Sequence, residues 1–197
     1  MSYVPALARN VRILLLPCLV ALGLAACGLS DDLAERPEPI GDFRLGFPIV
    51  VAANMEQGPF SREASAEEVE EALREAMQAR LGRYEGDRYY HVAVSVAAYV
   101  LAQPGIPLVA SPRSIFILNV DVWDDELQEK LTARPALLTV IDDSARGFMA
   151  SGLTQTREEQ LVSLSAAAAR EIEAWLRENG SLVGGEDRAR DGTESGA

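Results

Sequence analysis

The chain has 197 residues, of which 48% are hydrophobic, and its 18 basic and 30 acidic side chains give a formal charge of −12. This length and apolar share suit one ordinary core, while the excess of negative charge repels phosphates and argues against nucleic-acid binding. Both cysteines, Cys18 and Cys27, lie near the amino terminus, so the body has no thiol for a disulfide, a thiolate nucleophile or a soft metal site.

Arg9 and Arg12 precede an apolar stretch from Ile13 to Ala26, broken by Pro17 and ending in small residues before Cys27. A charged start, a greasy middle and a small-residue end make a secretory signal, which stands outside the fold. The stretch is shorter than the roughly 20 apolar residues of a membrane span. Later apolar runs are all interrupted by charge or proline. Its ending, Leu24-Ala25-Ala26-Cys27, resembles the lipobox of bacterial lipoproteins. That resemblance implies cleavage before Cys27 and attachment to the membrane through acyl chains on Cys27. Each buried methylene of such a chain contributes about 0.8 kcal/mol. Ordinary signal cleavage, which leaves Cys27 a free thiol, is the alternative. Gly28 and not aspartate follows the cysteine; by resemblance to known sorting rules, this implies a periplasm-facing protein on the outer rather than the inner membrane. Loss of residues 1–26 removes Arg9 and Arg12, leaving 171 residues with 16 basic and 30 acidic side chains, a charge of −14.

Residues 27–41 are polar and stiffened by Pro37 and Pro39, which predicts a lipidated tether. Phe43 to Ala53 reads as a strand rich in Ile and Val, and Pro48 within it marks an edge strand or a bulge. Ser65 and Glu68 form a capping box ahead of a helix. Its apolar stripe is Val69, Ala72, Leu73, Ala76, Met77 and Leu81, and Gly82 ends it. Tyr89 to Leu101 alternates as a long strand, with Tyr90, Val92, Val94, Val96, Ala98 and Val100 on the core face. The opposite face would carry Tyr89, His91, Ala93, Ser95, Ala97 and Tyr99. Ser114 to Trp123 alternates again, and Ala136 to Ile141 supplies a fourth strand. A second capping box, Thr156 with Glu159, opens a helix to about Asn179. Leu161, Leu164, Ala168, Ile172, Trp175 and Leu176 form its apolar stripe. Residues 181–197 are rich in glycine and charge and read as a disordered tail.

The order strand, helix, three strands, helix predicts an α+β fold over residues 42–180. The expected architecture is a two-layer sandwich, β-α-β-β-β-α, with a four-stranded, mainly antiparallel sheet and both helices on one face. A lipobox followed by this order resembles the periplasmic auxiliary lipoproteins of envelope transport and assembly machines. Examples are the lipopolysaccharide-assembly lipoprotein and the accessory lipoproteins of lipid-transport ABC systems. Ser111-Pro112-Arg113-Ser114, Val122-Trp123-Asp124-Asp125 and Thr154 to Leu161 also resemble segments of uncharacterised alphaproteobacterial lipoproteins. These likenesses imply an envelope setting and no activity, since a fold does not carry a function.

Motifs for chemistry are sparse. His91 is the only histidine, and no HExxH or HxH spacing accompanies it. A mid-strand histidine of this kind is a satisfied, half-buried residue more often than a ligand. Asp121, Asp124, Asp125 and Glu126 crowd the end of one strand, and Asp142 and Asp143 follow the next. Adjacent strands could bring them together as calcium ligands, but they lack the spacing of a calcium loop, and such acids usually shape solvated turns. Motifs for a nucleophile elbow, a phosphate loop or a dinucleotide site are missing. The expectation is therefore a non-enzymatic protein with no catalytic residue, metal or cofactor.

Two surfaces suit binding. The connection from Gln103 to Pro112 presents Ile106, Leu108 and Val109, either as a docking tip or folded back over the core. The sheet face away from the helices would carry Tyr89, Tyr99, Ile115, Ile117 and Trp123, an aromatic-rich patch of the kind that marks interfaces. The expected role is an accessory or assembly subunit that contacts an envelope protein or a second copy of itself. The alternative is a binder of lipid or another small apolar ligand held between helices and sheet.

Overall fold

A computed structural model describes residues 33–103, 113–142 and 156–184. The signal, Cys27, the apolar connection with Ile106, Leu108 and Val109, Asp143 and most of the expected tail lie outside the described residues. The chain divides into two units, residues 1–36 and 37–197. Of the first, residues 33–36 are described and hold no helix or strand.

In the second unit the elements are β1 (Phe43–Val51), β2 (Glu56–Gln57), α1 (Ala66–Leu81), β3 (Arg88–Val100), β4 (Ser114–Asp124), β5 (Glu129–Lys130), β6 (Ala136–Asp142) and α2 (Arg157–Glu178). A short 3₁₀ turn, Gly180–Leu182, follows. The long elements begin and end where periodicity and caps place them. Ser65 accepts from the Glu68 amide while Glu68 accepts from the Ser65 amide, and Thr156 and Glu159 repeat the arrangement on α2.

The fold is α+β with a mixed sheet of six strands, not four. The two additional strands are two-residue segments, too short for alternation to reveal. β1 pairs with β3, β3 with β4, and β4 with β6, while β2 and β5 extend the pairing on β3 and β4. The β1–β3 pair is parallel, which corrects the expected antiparallel meander at that point. A helix intervenes there, and a crossover helix returns the chain to the end where the previous strand began. β4 and β6 then pair antiparallel.

The helices run side by side in the same direction, fastened at both ends. Near the amino ends, Arg157 donates to both carboxylate oxygens of Glu68, at 2.6 and 2.9 Å. Near the carboxyl ends, buried Arg80 and Glu173 pair at 2.7 Å, and the Tyr84 hydroxyl also donates to Glu173. α1 lies over β1, and α2 over β6 and β4. Between helices and sheet, Leu73, Met77, Phe116, Leu118, Leu164, Ile172 and Leu176 are fully buried in one continuous core. Phe43 stacks on Tyr90 with ring centroids 5.8 Å apart and meets Tyr84 edge-on at 5.7 Å. Gly41 turns the chain into β1 with a left-handed φ of 51°, a conformation that glycine adopts without a Cβ penalty.

Candidate functional site

Two bulges shape the open face of the sheet. In the β1–β3 ladder Leu45 pairs with Tyr90 and Pro48 with Val92, so Gly46 and Phe47 together oppose His91. The extra residue leaves the Phe47 amide without a ladder partner. His91 supplies one: the Phe47 N–H donates to Nδ1 at 3.1 Å. The Phe47 ring lies over the imidazole, 5.4 Å between centroids and 22° from parallel. Glycine makes room beside it: a Cβ at position 46 would sit 2.6 Å from Nδ1 and displace the ring.

With Nδ1 accepting, the ring proton resides on Nε2, and Nε2 donates to Oδ1 of Asp125 at 3.0 Å. The imidazole is thus neutral in this arrangement and both nitrogens are engaged. The His91–Asp125 pair fastens the turn after β4 to β3. Asp125 is also contacted by the Gln128 amide, through its backbone carbonyl and Oδ1. Gln128 holds a left-handed φ of 54°.

The second bulge lies in β3, where Val96 pairs with Leu118 but Ala98 with Ile117. The additional residue, Ala97, reverses the alternation beyond it. Tyr99, expected on the open face, is consequently 3% exposed. Its hydroxyl accepts from the Ala64 amide at 3.1 Å. Val100, expected in the core, turns outward and is half-buried.

The remaining expected interface residues share the open face. Trp123 is 42% exposed and pairs across the strands with His91. Tyr89 is exposed beneath the Arg44 guanidinium, 5.4 Å from the ring centre. Ile115 and Ile117 are half-buried because β4 runs between β3 and β6. Sequence reading left out the two flanking strands. β1 adds Phe47, 70% exposed, with Ile49 and Val51, and β6 adds Leu137, 66% exposed, with Ile141. Their alternation within short runs was the available signal. Across four strands these side chains share the face opposite the core with the polar Ser95, Asn119, Asp121 and Thr139.

At one end of this surface lies a cavity of about 270 Å³ lined by Ile49, His91, Trp123, Asp124, Asp125 and Gln128. Among the described residues, the acids weighed as calcium ligands do not converge. Asp142 pairs with Ser114 at one end of β4, while Asp124 closes the other, and strand rise separates them by about 33 Å. Each described acid of the β4 end has a local partner. Asp124 accepts from Arg88 at 3.0 Å and from the amides of Glu126 and Leu127. Asp121 accepts from Thr132 at 2.6 Å and pairs with Lys130 at 3.2 Å. Among the described residues no group of three His, Cys, Asp or Glu side chains could hold a metal ion, and no helix is long and apolar enough to cross a membrane.

No protein-family model matches the chain, and no curated protein matches it. Solved structures similar to it include a candidate lipoprotein from Caulobacter crescentus, at 20% identity and a TM-score of 0.35, covering 68% of this chain and 93% of that one. A Xanthomonas campestris protein of the DUF330 family aligns at 12% identity and a TM-score of 0.36, covering 75% and 87%. The PelC dodecamer from Paraburkholderia phytofirmans aligns at 11% identity and a TM-score of 0.32, covering 68% and 93%. Likenesses at this level establish no family.

Proposed function

We propose that this protein is a non-enzymatic accessory subunit of the cell envelope, tethered through acylated Cys27 and docking a partner protein on its open sheet face. The observation that carries this reading is the set of exposed large apolar and aromatic side chains that β1, β3, β4 and β6 place on that one face. Aromatic side chains such as Phe47, Tyr89 and Trp123 are typical interface anchors. The helices serve as the scaffold that covers the other face. The anchor rests on the residues around Cys27 and supplies location.

The alternative, an apolar ligand between helices and sheet, is disfavoured by the fully buried side chains that fill this layer. Catalysis by His91 is disfavoured because Nδ1, the nitrogen that would accept a proton, is occupied by the Phe47 amide. The residues lining the adjacent cavity also include no serine, threonine or cysteine.

Crosslinking in intact cells, followed by detergent capture of the tagged protein and mass spectrometry, tests the reading. The expected result is an envelope protein captured by the wild type and lost in Leu137→Asp with Ile49→Asp, at an unchanged melting temperature. Cys27→Ala should lose the same partner together with membrane attachment. Recovery of the protein alone would replace the accessory role with self-association.

A further inference from the structure

We infer that the cavity beside Trp123 receives an arginine side chain presented by the docked partner. The inference rests on the docking role proposed above and assigns the partner its chemistry. Three of the cavity's lining residues, Ile49, His91 and Trp123, belong to the open face, so its occupant arrives with whatever covers that face. Trp123 and Ile49 line the cavity together with Asp125, whose carboxylate is half-exposed.

Charge complementarity selects a cation. His91 holds Asp125 from one side, but as the neutral tautomer it brings no positive charge to the carboxylate. Gln128 adds a neutral amide. The basic side chains of the neighbouring strands are engaged elsewhere. Lys130 pairs with Asp121 at 3.2 Å, and Arg88 with Asp124 and Glu126 at 3.0 and 3.1 Å. Arg44 lies over Tyr89. Asp125 is therefore held by uncharged hydrogen-bond donors at the edge of the open face before any partner arrives.

Geometry selects guanidinium over a rounder cation. A planar, weakly hydrated group can stack on the indole while donating in its own plane to a carboxylate. The Arg44–Tyr89 contact shows the same stacking within this face.

L-argininamide titrated into the full-length protein in detergent tests the inference. Two readouts apply: fluorescence of Trp123 in a Trp175→Phe background, and the Trp123 indole N–H signal in the wild type, which needs no substitution. Saturable binding on the order of millimolar is expected for one head group, weakened by salt. Asp125→Asn keeps the bond to His91 and should weaken binding about tenfold or more, as loss of a charge-assisted hydrogen bond predicts. Followed by titration calorimetry, which needs no indole signal, Trp123→Leu should weaken it further than Trp123→Phe.

A response that Asp125→Asn leaves intact, or none in either readout, overturns the inference. Tighter binding of tetramethylammonium or phosphocholine than of argininamide also overturns it, in favour of a lipid head group. In the capture experiment, a partner retained by Asp125→Asn but lost in Leu137→Asp with Ile49→Asp refutes the arginine contact alone. A partner retained by all these variants refutes the docking face itself.

Discussion

His91 joins two segments of the fold, one through each ring nitrogen, and Gly46 makes room for it. Gly46→Ala places a methyl group 2.6 Å from Nδ1, so the ring must move and the Phe47 amide loses its acceptor. An unsatisfied buried donor costs about 1–3 kcal/mol; partial exposure at this edge puts the expected loss near 1 kcal/mol. Nitrogen shifts of the imidazole should show the fixed tautomer in the wild type and tautomer averaging in Gly46→Ala. Unchanged shifts would refute this account of the bulge.

Glu68 is the second residue with a measurable signature. The Arg157 guanidinium, then the Ser65 amide, hold its carboxyl down from an ordinary 4.5 to about 2. A depressed folded-state value means that the unfolded chain binds more protons in between. Its contribution is thus complete above about pH 4.5 and is lost as the pH falls toward about 2. Glu68→Gln should flatten the acid limb of a melting-temperature profile over that window and leave the profile near neutrality parallel to the wild type. An unaltered acid limb would show that the Arg157 contact does not couple to folding.

At the scale of elements, the helix pair depends on buried Arg80, Tyr84 and Glu173, with half-buried Arg83 and exposed Arg177 beside them. Burial and the adjacent Glu173 carboxylate push the Tyr84 phenol well above its ordinary range. That phenol donates to Glu173 and accepts from Arg177 at 2.8 Å. Removing one member of a buried ion pair is more damaging than replacing both, because the remaining charge is left without compensation. Arg80→Met should therefore cost about 3 kcal/mol, the lower end of the usual range, since Arg83 still reaches Glu173 at 3.4 Å. Arg80→Met with Glu173→Met should recover much of that loss in urea denaturation. A double variant no more stable than the single would overturn the pairing argument.

For the molecule as a whole, the helices and Tyr99 close one side of the sheet while β1, β3, β4 and β6 leave the other available. Much of this was legible in the sequence. Caps and period-3.6 stripes are local properties, which is why α1 and α2 begin at Ala66 and Arg157 behind their capping boxes. Alternation placed Tyr90, Val92, Val94 and Val96 in the core and Trp123 outside it. What the sequence could not settle depends on registration between distant strands. A single bulge at Ala97 sends Tyr99 inward, and the crossover through α1 sets β1 parallel to β3. Antiparallel pairing of β4 with β6 sends Asp142 away from Asp124, and the turn after β4 brings Asp125 to His91, 34 positions earlier. Periodicity is carried by neighbouring residues and survives in the sequence; which strands meet, and in what register, is decided only when the whole sheet closes over its core.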